Sequence, residues 1–493
     1  MFLTMGVSLF TSRIVLNTLG VVDFGIYNVV GGVVMMFSFL NSSMSSATQR
    51  FFSFELGKKD YEQLKKVFCM SVNIHAIIAV VILILAETIG LWFLNAKLVI
   101  PAERMIAANW VYQFSILAFM LTIMGVPYNA MIIAHERMNV YAYVSIIEVV
   151  LKLVIVFMLV WFGFDKLKLY AVLVFGVAAI VWIIYKLYCK RRLPETKYKF
   201  AWDQSLYKTL MNYAGWNLFG NVAGVAMGQG VNILLNVFFG PAINAARAIA
   251  YQINSAVNGF VTNFQMAVNP QIVKSYATED IEYMHQLIFR GAKYSFFLLF
   301  IMALPVLLET EIILKTWLKI VPDYTVLFTR LVLINMLIDC ISGPLMSAAQ
   351  ATGKIKKYQA IVGGLLLLNL PVSFFLLKLG MLPQTTMYVS IAISVLALYS
   401  RLLILKPLIY ISVNKFFKEV IFLVLIVAFL SMLLPLLIRI LLLPGYLRLV
   451  FIFTVGVFST SFSVFIFGLN RSEKLFVRKR IGLLTNNANH FKK

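Results

Sequence analysis

With 493 residues, 61% of them hydrophobic and 13% charged, the chain falls outside the range of soluble globular domains, which carry about 25% charged residues. A formal net charge of +23 would send the search for partners toward nucleic acid. Here, however, the basic residues sit in alternate loops between apolar runs, the pattern that orients a membrane protein, and nucleic acid is not expected as a partner.

In chain order, apolar runs able to cross a hydrocarbon core of roughly 30 Å fall at residues 2–19, 24–46, 69–94, 107–133, 141–162, 169–188, 215–239, 243–268, 293–314, 326–348, 359–379, 386–405, 418–438 and 447–467. The fold class expected is an all-α polytopic membrane protein of about fourteen transmembrane helices. Met1 leads straight into the apolar stretch Phe2 to Phe10 without a basic leader or a cleavage site, which is not a signal peptide. Because this first span is short and carries Arg13, part of helix 1 is expected to be encoded upstream.

Loops holding Lys58, Lys59, Lys65 and Lys66, then 186–208, 354–357 and 471–493, fall on one side with roughly 29 Lys and Arg, against about 8 opposite. Both termini are therefore expected in the cytoplasm. The opposite loops, such as Gly240-Pro241 and Met381 to Gln384, are turns with no room for a soluble catalytic domain, so no enzymatic activity is expected. Cys69, Cys189 and Cys340 stand singly, and His75, His135, His285 and His490 form no ligand motif, so neither disulfide, metal nor organic cofactor is expected.

An internal repeat is visible. Leu16-Asn17 before Gly20 matches Leu235-Asn236 before Gly240, an offset of 220 that also carries Asp60 onto Asp280 and Glu62 onto Glu282. Pro127 and Tyr141 fall on Pro344 and Tyr358 at an offset of 217, flanking Ala134-His-Glu-Arg and Ala351-Thr-Gly-Lys. The reading is a six-helix lobe over 1–200, a second over 201–410, and two extra helices with a basic tail over 411–493. Tandem copies of this kind belong typically to transporters, with the substrate path between repeats.

Polar residues inside spans mark function or helix pairing, because each must be satisfied within the membrane. On the eighth span Asn244, Arg247, Tyr251, Asn254, Asn258, Thr262, Gln265 and Asn269 step by three or four and share one face. Ser38, Ser42, Ser45 and Gln49 of the second span map onto the latter part of that stripe. Asn217, Asn221, Gln229, Asn232 and Asn236 add amides on the seventh span, beside Gly220, Gly224 and Gly228. A substrate cavity lined by these groups suits a hydroxyl-rich sugar; the alternative is that the amides tie helices together. Arg247 is the candidate contact for a diphosphate, whereas Arg50 is expected to snorkel to the headgroups. Glu148 and Lys152 read as a neutralising pair, and Asp339 with Asn335 as a site where H⁺ or Na⁺ could couple to transport. Asp23 is expected to cap the second helix, and Gly125-Val-Pro127 and Gly343-Pro344 to break the fourth and tenth.

The stretch Leu19-Gly-Val-Val-Asp-Phe-Gly-Ile-Tyr-Asn-Val-Val30, with Ser46-Ala-Thr-Gln-Arg-Phe-Phe-Ser53 and the Ala134 and Ala351 segments, resembles the polysaccharide-export branch of the multidrug, oligosaccharidyl-lipid and polysaccharide (MOP) exporter superfamily, of the Wzx O-antigen flippase type. The resemblance implies a two-lobed protein of a bacterial inner membrane that moves undecaprenyl-diphosphate-linked oligosaccharide between leaflets by alternating access, alongside other polysaccharide-assembly proteins. Relatives place a basic residue after an Ala-Tyr pair in helix 8, whereas Ala250-Tyr251 is followed here by Gln252. The competing readings are a MATE-like cation or drug antiporter and a lipid II flippase; the latter type carries more arginines in helix 1.

Overall fold

A computed structural model describes residues 11, 14–15, 18–20, 23–24, 26–27, 30–31, 34, 38–96, 100–161, 163–318 and 321–475. Among them every regular element is helical, as the absence of water in a bilayer core requires of any chain that does not close a barrel. In chain order the long helices are α1 (Ser38–Lys58), α2 (Tyr61–Ala96), α3 (Ala102–Ala134), α4 (Met138–Trp161), α5 (Lys166–Arg192), α6 (Gln204–Phe239), α7 (Pro241–Ala277), α8 (Ile281–Leu308), α9 (Thr325–Ala351), α10 (Ile355–Lys378), α11 (Thr385–Ile409), α12 (Val413–Leu441) and α13 (Tyr446–Gly468), with the short helix Thr310–Trp317 between α8 and α9.

Eleven of these are long and apolar enough to cross a membrane. The span expected over 2–19 falls largely outside the described residues, Arg13 among them, and the described end of the one expected over 24–46 runs into α1. The two others are α1 and α7; at 37 residues α7 is long enough but carries too many polar side chains to qualify on hydropathy.

Backbone conformation agrees at several positions that the two offsets pair. Gly20 and Gly240 both take left-handed φ, +79° and +81°, at the start of each copy. Lys59 (φ 58°) and Glu279 (φ 60°) sit in matching turns: Asp60 N bonds Glu55 O at 3.1 Å, and Asp280 N bonds Ser275 O at 3.0 Å. Six-to-one bonds of this type close helix C-termini by satisfying orphan carbonyls. Glu136 (φ 59°) and Gly353 (φ 72°) form the third pair, after α3 and α9.

Two expectations are corrected. Pro127 and Pro344 lie inside α3 and α9, which run through them without interruption. Asp23 does not act as a plain cap: its carboxylate holds Arg104, whose Nε donates to Asp23 Oδ1 at 2.8 Å while Nη1 donates to Asp165 Oδ2 at 3.0 Å. One guanidinium fork thus joins the starts of α3 and α5 to Asp23 upstream of both, with Asp165 itself capping α5 through the amides of Leu167 and Lys168.

Contacts divide the chain into two compact units. The first holds Met1–Val222, Asn269–Asp280 and Gln350–Ala360; the second holds Ala223–Val268, Ile281–Ala349 and Ile361–Lys493. The first unit has a core of interlocked aromatics. Phe68 packs edge-on to Tyr128 with ring centres 5.5 Å apart, and Phe51 likewise to Tyr213 at 5.6 Å. In the second unit, Leu235, Ala246, Ala250, Phe328 and Val332 join α6, α7 and α9, and α13 packs against α8 and α12. Large apolar side chains such as Phe375, Phe429 and Phe458 stay on the surface, where a lipid solvent imposes no penalty.

Candidate functional site

α7 begins with Pro241 directly after the left-handed Gly240, a combination that fixes the helix start because proline lacks only an amide hydrogen that would be orphaned there. From that start, the spacing of the polar residues keeps Asn244, Arg247, Tyr251, Asn254, Asn258, Thr262 and Gln265 on one stripe.

The stripe separates into two parts. Toward the Gly240 end, Arg247 is only 9% exposed, and its guanidinium carbon lies 4.5 Å from the centre of the Tyr251 ring. Among the described residues no carboxylate pairs with it. Three polar atoms on this part of the face, Arg247 Nε, Asn244 Oδ1 and Asn254 Oδ1, are buried without a hydrogen-bond partner among the described residues. Buried polar atoms of native proteins are almost always satisfied, by protein groups, by ordered water or by a ligand. Asn244 Nδ2 is engaged, donating to Asn232 O of α6 at 3.1 Å.

Further along, the groups are committed to the protein. Thr262 Oγ1 bonds the Asn258 carbonyl at 2.7 Å, and Gln265 Nε2 donates to Ser295 Oγ and to Cys340 O, each at 2.9 Å. A Cβ at Gly343 would collide with the Gln265 amide, which explains a glycine beside Pro344 better than a hinge does. In the first unit, Asn221 Nδ2 meets Ser43 Oγ at 3.0 Å and Ser42 Oγ at 3.4 Å, while Gln359 Nε2 donates to Asn217 Oδ1 at 3.0 Å. These amides tie helices. Ser45 is half-buried, and the side chain of Ser38 lies outside the described residues.

Glu148 and Lys152 form their pair at 2.6 Å on an exposed face. Asn335 Nδ2 donates to Asp339 Oδ2 at 2.9 Å, with the Ser394 hydroxyl also bonded to that carboxylate and the Arg401 charge nearby. Among the described residues no cluster of three or more His, Cys, Asp or Glu forms a metal site.

A second constellation was not foreseen from the sequence. Arg50 does not snorkel: it is 9% exposed, donates from Nη2 to Ala351 O at 2.8 Å and from Nε to Gln350 O at 3.2 Å, and stacks 4.6 Å from both Phe51 and Phe54. It caps the C-terminus of α9, where unpaired carbonyls carry partial negative charge. Its counterpart runs in the opposite sense between the copies. Lys274 and Gln271 on α7, the repeat partner of α1, donate to Glu136 at 2.6 and 3.0 Å, in the turn after α3, the repeat partner of α9. Burial pushes the Glu136 carboxyl up, but the hydrogen bonds from Lys274 and Gln271 outweigh it and hold the group below the usual carboxylate range. The signal in the sequence was the pairing of Glu136 with Gly353 at offset 217.

Residues 1–276 match a protein family described as polysaccharide biosynthesis protein. No curated protein sequence matches the chain significantly. Its fold is similar to an outward-facing multidrug resistance MATE family transporter of the MOP superfamily (TM-score 0.69, 13% identity, covering 83% of this chain and 93% of the other). It is also similar to a MOP superfamily transporter from Pyrococcus furiosus whose binding pocket is described as reversed in polarity (TM-score 0.67, 12% identity, 84% and 93%). A third similar structure is a Vibrio cholerae MATE transporter variant (TM-score 0.65, 16% identity, 83% and 94%).

Proposed function

The chain belongs to the polysaccharide biosynthesis protein family of the MOP superfamily, and from that premise we propose that it translocates undecaprenyl-diphosphate-linked oligosaccharide across the bacterial inner membrane, for assembly of a surface polysaccharide or lipopolysaccharide. Both termini lie in the cytoplasm on this reading, and the cycle is alternating access, driven by an H⁺ or Na⁺ gradient, the membrane potential or the substrate gradient.

The observation that carries the reading is the cation Arg247, buried over Tyr251 without a carboxylate partner among the described residues, between the orphaned oxygens of Asn244 and Asn254. A guanidinium matches the paired oxygens of a diphosphate, and amide oxygens accept from sugar hydroxyls. A pocket for cationic drugs would place a carboxylate where Arg247 stands. The clasps at Arg50 and Glu136 lie at the Lys- and Arg-rich ends of their helices, where entry from the cytoplasm requires opening.

The test is accumulation of undecaprenyl-diphosphate-linked oligosaccharide in cells depleted of the protein and complemented with wild type, Arg247→Ala or Arg247→Lys. Build-up on the cytoplasmic leaflet in the depleted and Arg247→Ala cells supports the reading. No build-up, together with raised sensitivity to cationic dyes, assigns the chain to drug or cation antiport through Asp339 instead.

A further inference from the structure

The last two helices and their junction with α8 enclose a cavity of about 620 Å³ that plays no part in the polar stripe of α7. Its size falls in the range of small-molecule pockets. Four cations, Arg290, Lys293, Lys415 and Lys418, line it against three carboxylates, Glu282, Glu419 and Glu473.

The carboxylates do not use up the positive charge. Glu473 serves two cations at once, with Arg290 Nε at 3.1 Å and Lys293 Nζ at 3.3 Å. It is held there by a capping box, in which Asn470 Oδ1 accepts from Glu473 N at 2.9 Å and Glu473 Oε2 accepts from Asn470 N at 2.8 Å. Lys415 approaches Glu419 only to 3.9 Å with both side chains more than half exposed, a pairing that solvent screens. Lys418 has no ion-pair partner among the described residues.

The neighbouring surface is apolar. Phe417, Phe422 and Leu425 on α12 and Phe467 on α13 are all exposed, on the two helices that border the cavity. A cationic pocket continuous with an apolar helix face is complementary to a molecule with a charged head and hydrocarbon tails.

We propose that this cavity between α8, α12 and the segment after α13 binds the phosphate of an anionic glycerophospholipid, with the headgroup on Lys415, Lys418 and Arg290 and the acyl chains along α12. Glu473 keeps Arg290 and Lys293 in place, so the headgroup meets ordered cations. The site lies on the Lys- and Arg-rich side of the protein, opposite the Arg247 end of α7, and does not depend on which substrate the transporter carries.

The experiment uses the full chain in phosphatidylcholine nanodiscs, titrated with dioctanoyl phosphatidylglycerol, dioctanoyl phosphatidylcholine or sodium phosphate and followed by thermal unfolding and by native mass spectrometry. Phosphatidylglycerol raises the unfolding midpoint and remains bound on ejection, and Lys415→Gln/Lys418→Gln weakens its binding roughly tenfold. Lys65→Gln/Lys66→Gln, which removes two exposed lysines elsewhere on the same side, leaves it unchanged. Equal weakening in both double variants, or protection by phosphatidylcholine, overturns the site. Equal protection by sodium phosphate assigns it to the free anion and overturns the lipid assignment.

Discussion

Lys274 Nζ lies 2.6 Å from Glu136 Oε1, joining the end of α7 to the left-handed turn after α3, in a chain whose first copy supplies the acid and whose second supplies the base. The pair is one-quarter to one-third exposed, so its contribution is about 0.5–1 kcal/mol. Because the Glu136 carboxyl titrates below its ordinary value, the stabilisation is present above about pH 4 and is lost as pH falls through the lowered value. Unfolding midpoints measured between pH 3 and 7 should drop at the acid end. Glu136→Gln should flatten that drop; an unchanged profile would show that the pair does not stabilise the clasp.

Arg50 should matter more, since it is buried and its donors meet two helix-terminal carbonyls. Arg50→Ala leaves the Gln350 and Ala351 carbonyls without this donor and costs about 2 kcal/mol, read as a lowered unfolding midpoint. Arg50→Lys keeps the charge but cannot span both carbonyls, and should recover only part of the loss. Full recovery by lysine would mean that charge alone, and not the fork, is what α9 requires.

Gly353 supplies an independent check of the same clasp. Its φ of +72° is strained for a residue with a Cβ, and a Cβ there would stand 3.1 Å from Arg50 Nη2. Gly353→Ala should cost about 1–2 kcal/mol and Gly353→Asn less, because asparagine tolerates the left-handed region. If both substitutions cost the same, the contact with Arg50 rather than the backbone sets the penalty.

The membrane class and the helix order were legible because hydropathy is a property of the chain itself. The left-handed pairs at Gly20 and Gly240, and at Lys59 and Glu279, fall where the offset of 220 places them. Side-chain pairing was less legible. Arg50 looked like a snorkelling residue because its receptors, the carbonyls of Gln350 and Ala351, are 300 residues away and leave no mark in composition. Arg104 leaves as little mark, because its two acids, Asp23 and Asp165, lie 81 and 61 residues away along the chain. Periodicity sets Gln265 and Arg247 on one stripe but does not show that the first is spent on Ser295 and Cys340 while the second has no acid partner among the described residues.

That difference gives the most discriminating prediction. Gln265→Ala removes two hydrogen bonds between helices and should lower the unfolding midpoint, at a cost of about 1–3 kcal/mol. Arg247→Ala removes a buried cation whose side-chain Nε has no partner among the described residues, and should leave stability nearly unchanged or raise it, since an uncompensated charge no longer has to be kept from water. Transport should respond in the reverse order, with movement of lipid-linked oligosaccharide into the outer leaflet lost in Arg247→Ala, partly kept in Arg247→Lys, and reduced in Gln265→Ala only in proportion to the folded protein. Measuring both quantities on the same membranes separates a group that binds cargo from one that holds helices together. If Arg247→Ala destabilises the protein as much as Gln265→Ala while the folded fraction still transports, Arg247 is a packing residue and the diphosphate contact lies elsewhere.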